Sequence, residues 1–181
     1  MQDDFFKKME SVNFWQTSPQ KLRFIRHDYI RTIMGYLGNN LVKVLVGQRR
    51  CGKSTILKQV IAHLRAQKIP VENIFYLNFE LHELQWIKEH AILIEAIEVY
   101  FKNKNPLGKV YVFLDEIQEV EAWEKAVNSF LANERYDIEF FLTGSNANLL
   151  STELSTYVTG RYVEIPIFPF SFDEYTGFYN I

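Results

Sequence analysis

A three-layer α/β domain on a mostly parallel, five-stranded sheet is the fold this sequence predicts. Short apolar, β-branched runs recur along the chain, and segments with helical spacing separate them. Clusters of Gly, Pro and Asn punctuate the joins. Runs that stay apolar over their whole length suit strands buried on both faces, as a parallel sheet requires. A chain of 181 residues fills one such domain and is short for two.

The first forty residues read as helical. Asp3 or Asp4 is placed to cap a helix that sets Phe5, Met9 and Val12 on one side. Ser18-Pro19 is a second helix start, and Ile30, Ile33, Met34 and Leu37 recur at helical spacing up to a stop at Gly38-Asn39-Asn40. The period then changes. Strands are predicted at Leu41–Val46, Asn73–Phe79, Lys109–Leu114, Ile138–Leu142 and Tyr162–Ile167. Helices are predicted at Lys53–Ala66, Leu84–Tyr100 and Ala122–Ala132. The resulting division is a helical N-terminal extension at 1–40, a core at 41–167, and a C-terminal stretch at 168–181.

The composition narrows the partners. Hydrophobic residues make up 48% and aromatic residues 15%, which excludes intrinsic disorder. The net charge of −2 excludes a uniformly basic nucleic-acid clamp. Residues 1–70 nevertheless carry 13 basic and 4 acidic groups, whereas 71–181 carry 7 and 18. An anion site in the first part and solvated acidic helix faces in the second would produce that split. A single cysteine, Cys51, excludes a disulfide framework, and no secretory leader or membrane-length apolar run is visible. The expectation is a soluble cytoplasmic protein.

The chemistry begins after the first strand, with Gly47-Gln48-Arg49-Arg50-Cys51-Gly52-Lys53-Ser54-Thr55. This satisfies G-x-x-x-x-G-K-[ST] with a strand before it and a helix after it, the context a phosphate loop (Walker A) needs. Gly47 and Gly52 allow close backbone approach, so main-chain N–H groups converge on phosphates at a helix N-terminus. Lys53 would reach the β- and γ-phosphates, and the Ser54 hydroxyl would ligate Mg²⁺. Arg49 and Arg50 form a solvated positive rim or touch phosphate. Cys51 is a small packed residue, or a thiol activated by the anion site.

The third strand ends Val110-Tyr111-Val112-Phe113-Leu114-Asp115-Glu116, an apolar run closing on two acids as a Walker B element does. Asp115 would hold Mg²⁺ through its waters, and Glu116 would polarise the attacking water. Both could instead simply open the next helix, where acids favour the dipole. Glu119, Glu121 and Glu124 read as a solvated helix face. The fourth strand ends Leu142-Thr143-Gly144-Ser145-Asn146. If this strand lies between the phosphate-loop and Walker B strands, Thr143, Ser145 or Asn146 can sense the γ-phosphate, though Ser145 or Asn146 could equally cap a helix. Asn78 and Glu80 end the second strand on the same edge, where they orient Glu116 or serve the loop. Arg161, after Gly160, is a candidate charge stabiliser in cis or toward a neighbouring subunit, or a surface residue. The four histidines show no metal spacing.

The chain resembles the AAA-type ATPase domain of a bacterial and archaeal family related to the STAND nucleotide-switch ATPases. The resemblance covers about residues 24–175. It rests on the phosphate loop, on Phe113-Leu114-Asp115-Glu116-Ile117-Gln118, on Leu142-Thr143-Gly144-Ser145, and on Gly160-Arg161-Tyr162 with Pro169-Phe170-Ser171-Phe172-Asp173-Glu174-Tyr175. It implies a P-loop ATPase sheet with a catalytic glutamate, binding ATP with Mg²⁺, and carries Lys53, Ser54, Asp115 and Glu116 onto the family's motif positions. It also sets Arg26 near the nucleotide base, and it implies that residues 168–181 begin a winged-helix lid followed by a further domain.

The leading expectation is Mg²⁺-dependent ATP hydrolysis driving a conformational switch. The alternatives are a nucleotide-gated module that holds ATP and engages a protein or DNA partner, and a P-loop kinase. Glu116 beside Asp115 and the lack of an arginine-rich lid segment argue against the kinase.

Overall fold

In the computed structural model, which describes residues 2–15, 24–144 and 160–179, five strands form one all-parallel sheet. They are β1 (Val42–Val46), β2 (Ile74–Asn78), β3 (Val110–Asp115), β4 (Ile138–Gly144) and β5 (Tyr162–Pro166). Their spatial order is β2-β3-β4-β1-β5, so β4 does lie between β1 and β3. The helices are α1 (Gln2–Val12), α2 (His27–Met34), α3 (Lys53–Ala66), α4 (His90–Lys104), α5 (Trp123–Ala132) and α6 (Phe172–Tyr179).

Strand side chains alternate between faces, and here both faces are apolar. One face carries Val42, Val44, Phe75, Leu77, Val112, Leu114, Phe140 and Leu142 against α1, α4 and α5. The other carries Leu45, Ile74, Tyr76, Phe113, Phe141 and Ile165 against α2 and α3. These are the three layers the sequence predicts.

The N-terminal segment closes an exposed sheet edge. Strand β2 is terminal in the sheet, and a bare edge offers unpaired N–H and C=O groups. Asn13 Oδ1 accepts a 2.8 Å hydrogen bond from the Tyr76 amide, and Trp15 Nε1 donates at 2.7 Å to the Ile74 carbonyl. Trp15 also stacks within 6.1 Å of Phe75 and 5.8 Å of Tyr100, while Met9 is completely buried. Each such burial is worth about 1.5–3 kcal/mol, enough to hold α1 on the sheet.

Several element limits differ from expectation. Helix α1 already contains Asp3 and Asp4 within its span, and Asp4 pairs with Lys8 at 2.9 Å. Helix α2 starts at His27 and stops at Gly35, with Leu37 in the turn that follows. Helix α4 begins at His90 rather than Leu84. Leu84 and Ile87 are buried as a helical pattern would require, but a 3₁₀ turn spans His82–Leu84, a further turn follows at residues 85 and 86, and the helix starts only after Glu89. That stretch is held by pairing to the segment before α5, through His90 N to Glu121 O at 3.0 Å and Glu121 N to Lys88 O at 2.8 Å. Asn105, in the left-handed region at φ 45°, ends α4. Ser18-Pro19 lies outside the described residues.

One polar group sits where the pattern reads as apolar. Lys43 of β1 is completely buried and donates at 2.8 Å to the equally buried Glu139 of β4. The other Glu139 oxygen accepts from the Gly38 amide at 2.7 Å, with Lys109 at 3.4 Å. Both acidic lone-pair sets are thereby satisfied, as a buried charge requires.

Among the described residues no helix is long and apolar enough to cross a membrane.

Candidate functional site

Parallel strands deliver their C-terminal ends to one edge, and the predicted site residues from β1, β3 and β4 gather there. Gly47 leaves β1. A Cβ at this position would run into the Ile167 carbonyl oxygen and stand 2.9 Å from Cys51 Sγ, so the close passage of the loop beneath β5 requires glycine. Gly52 takes φ 100°, a conformation open to glycine, and turns the chain into α3 at Lys53. Arg50 is also left-handed at φ 70°. The loop therefore ends with the N-terminus of a 14-residue helix directed at the edge.

Lys53 is buried, and its Nζ donates to the carbonyls of Gly47 at 2.9 Å and Gln48 at 3.3 Å. The ammonium is thus folded onto the loop that it spans. Ser54, one residue on, donates its hydroxyl to Asp115 Oδ1 at 3.0 Å. A hydroxyl hydrogen directed at Asp115 leaves the Ser54 lone pairs facing out. Serine hydroxyl and carboxylate form an oxygen-only donor set, the kind Mg²⁺ takes together with waters and substrate phosphates.

Sheet parity explains the rest of the Asp115 environment. Tyr76, Asp115 and Thr143 share the face that packs on α3. Asp115 is fully buried; Thr143 Oγ1 donates to its Oδ1, and the Tyr76 hydroxyl donates to Oδ2 at 2.7 Å. Burial pushes the Asp115 carboxyl above the ordinary carboxylate value, while the hydroxyls of Thr143, Tyr76 and Ser54 oppose that shift by favouring the charged form. Burial likewise raises the Tyr76 phenol, and the adjacent Asp115 charge adds to it.

Glu116 follows in the left-handed region at φ 56°, a conformation uncommon for a residue with a Cβ. Its amide donates at 2.9 Å to Thr143 Oγ1. Its carboxylate accepts a 2.7 Å bond from Gln118 Nε2. The acidic pair does not open a helix: a 3₁₀ turn follows at Ile117–Glu119, and α5 starts only at Trp123.

Other expected residues take different places. The Thr143 hydroxyl donates to Asp115 and accepts from the Glu116 amide. Ser145 and Asn146 lie outside the described residues. Asn78 accepts the Glu80 amide at 3.0 Å, and Glu80 pairs with exposed Arg49 at 3.1 Å, so both serve the loop while Gln118 takes the place beside Glu116. Cys51 is buried in the α3-side core. Glu119 and Glu121 are exposed, but Glu124 is buried in the first turn of α5, where the helix dipole favours an acid. Arg161 is not brought to the site of its own chain. It precedes β5, and its carbonyl accepts from the Val42 amide at 2.8 Å at the start of β1. A strand rises about 3.3 Å per residue, so the length of β1 separates Arg161 from the loop.

Arg26 ties three segments together. Its guanidinium bonds both Glu174 oxygens at 2.7 and 2.9 Å, the Phe168 carbonyl at 2.9 Å and the Cys51 carbonyl, in the loop between β1 and α3, at 3.2 Å. It also lies over the Tyr29 ring at 4.3 Å. Glu174 in turn completes a capping box with Ser171 at the start of α6, with bonds of 2.9 and 3.2 Å. All of these groups make Arg26 a brace behind the loop rather than an open contact for a base. Sequence reasoning missed Tyr76, Gln118 and Glu174. The S-x-x-E spacing was the available signal for the last.

A family profile described as "AAA domain" matches residues 39–176. An uncharacterized protein of Haemophilus influenzae is 42% identical over 161 residues, covering 89% of this chain and 39% of that protein. An uncharacterized protein of Methanocaldococcus jannaschii is 35% identical over 142 residues, covering 78% of this chain and 29% of its own length. The chain thus spans well under half of these curated relatives. Among solved structures, that of C. elegans PCH-2 aligns with 90% of this chain and 45% of its own, at 15% identity and a TM-score of 0.48.

Proposed function

As a member of the AAA domain family, this chain, we propose, binds ATP with Mg²⁺ at the loop of residues 47–55 and hydrolyses it to ADP and phosphate. The observation that carries this reading is the 3.0 Å bond from Ser54, in the first turn of α3, to Asp115 at the end of β3. It sets an oxygen donor pair beside a glycine-built loop at a helix N-terminus.

In this reading the amides of residues 48–54 receive the phosphates. Lys53 exchanges the Gly47 and Gln48 carbonyls for β- and γ-phosphate oxygens. Ser54 keeps its hydrogen on Asp115 and offers a lone pair outward. Bound Mg²⁺ supplies neutralisation of the charge on the phosphates. Glu116 orients and deprotonates the attacking water after releasing Gln118. The γ-phosphate sensor in this reading is Ser145 or Asn146. Arg161, if it serves catalysis, serves the site of a neighbouring copy. The nucleotide cycle drives a conformational switch in a longer, cytoplasmic, STAND-related protein, with α6 leading into a winged-helix lid.

A second reading has one specific observation in its favour. The bond from Gln118 occupies one carboxylate oxygen of the proposed base, Glu116 Oε2, as suits a module that holds ATP and engages a protein or DNA partner without rapid turnover. Phosphate release from ATP, compared between the parent and Glu116→Gln, tests the first reading. Turnover in the parent that falls at least about a hundredfold in the variant supports hydrolysis through Glu116. Tight ATP binding with no release supports the second.

A further inference from the structure

The Tyr76 hydroxyl is a polar atom placed in β2 between the buried apolar residues Phe75 and Leu77, where phenylalanine would fill the same space. A buried hydroxyl is costly unless it is bonded, and this one is spent on a single group, Asp115 Oδ2, at 2.7 Å. The division of labour on the carboxylate is sharp. Oδ1 receives Ser54 and Thr143, both from groups that also face the site or Glu116. Among the described residues, Oδ2 receives the phenol alone.

From this geometry we propose that Tyr76 is the positioning residue for the metal-side carboxylate. It anchors Oδ2 from the neighbouring strand, so that Oδ1 is presented to Ser54 and to the cation in one orientation. A carboxylate held on one oxygen only can rotate about its Cβ–Cγ bond and lose the Ser54 alignment. Held on both, it cannot. Partners of this kind, which bond a metal-side ligand without touching the metal, set metal affinity by about 10–100-fold. The role lies with the hydroxyl and not the ring, because the ring sits in the α3-side core whichever group it carries.

The inference rests on the ATP–Mg²⁺ reading of the site, and the test separates the two. ATP affinity is measured by calorimetry across a Mg²⁺ series and in EDTA, for the parent, Tyr76→Phe, Asp115→Asn and the double variant. Tyr76→Phe is expected to bind ATP in EDTA as the parent does, and to need about tenfold more Mg²⁺ to reach half of the metal-linked gain. On the Asp115→Asn background the same change is expected to add nothing. Tyr76→Leu, which also drops the ring, should give the same Mg²⁺ shift on a lower Tm. A midpoint within twofold of the parent in Tyr76→Phe overturns the inference and leaves the function reading standing. So does an equal shift on the Asp115→Asn background. A parent that takes up no ATP overturns both.

Discussion

Ser54 Oγ donates to Asp115 Oδ1 at 3.0 Å across 61 positions of sequence, joining the first turn of α3 to the last residue of β3. Neither residue could be paired with the other without the sheet. Once β4 is inserted between β1 and β3, the loop leaving β1 and the end of β3 face each other over Thr143, which bonds Asp115 and the Glu116 amide together.

Thr143 is accordingly expected to matter for stability as well as alignment. Thr143→Val keeps the shape and deletes the hydroxyl, leaving the buried Glu116 amide without its acceptor. The cost should be about 1–3 kcal/mol, a Tm lower by several degrees for a chain of this size. Thr143→Ser should restore most of it. Thermal unfolding of the three proteins checks this, and an unchanged Tm in Thr143→Val would contradict the network.

The Arg26 brace carries a pH dependence. The hydrogen bond to Arg26 holds the Glu174 carboxyl below its ordinary value of 4.5, with partial burial opposing and the Ser171 amide assisting. A depressed folded-state value means that the stabilisation is present above the unfolded value and is lost as pH falls through the folded one. The parent should therefore lose stability below about pH 4.5 more steeply than Glu174→Gln, and the two curves should converge in acid. Unfolding midpoints across that range provide the check. Parallel curves would show that the pair contributes nothing.

At the opposite end of the sheet, Lys43 and Glu139 make a stability prediction separate from the site. Burial holds the Lys43 ammonium below its ordinary value, and Glu139 opposes that shift. Lys43→Met removes the buried cationic partner of a fully buried carboxylate and is expected to cost about 3 kcal/mol in urea unfolding. ATP affinity should stay within twofold of the parent. A loss below about 1 kcal/mol would mean that Lys109 and the Gly38 amide suffice.

The local parts of this architecture were legible in the sequence. Five strands, the span of α3, the phosphate loop and the acidic end of β3 follow from runs, spacing and turn residues that act over a few positions. The missed features depend on which strands are neighbours. Parity sets Tyr76 on the α3 face, yet only the adjacency of β2 and β3 makes its hydroxyl a partner of Asp115. In the same way, only the adjacency of β3 and β4 makes the Thr143 hydroxyl a partner of Asp115 and of the Glu116 amide. Arg161 reads as a charge stabiliser in cis or toward a neighbouring subunit, or as a surface residue; the parallel orientation of β5 puts its start at the edge opposite the loop. Leu84 and Ile87 mimic a helix because burial, not helical geometry, selects apolar residues there.

Calorimetric titration of ATP with Mg²⁺ into the parent and into Lys53→Ala tests the phosphate-loop reading most directly. The account predicts saturable binding to the parent and at least tenfold weaker binding, on the order of 1.4 kcal/mol or more, to the variant. Equal affinities in the two proteins, or no binding to the parent, would contradict it.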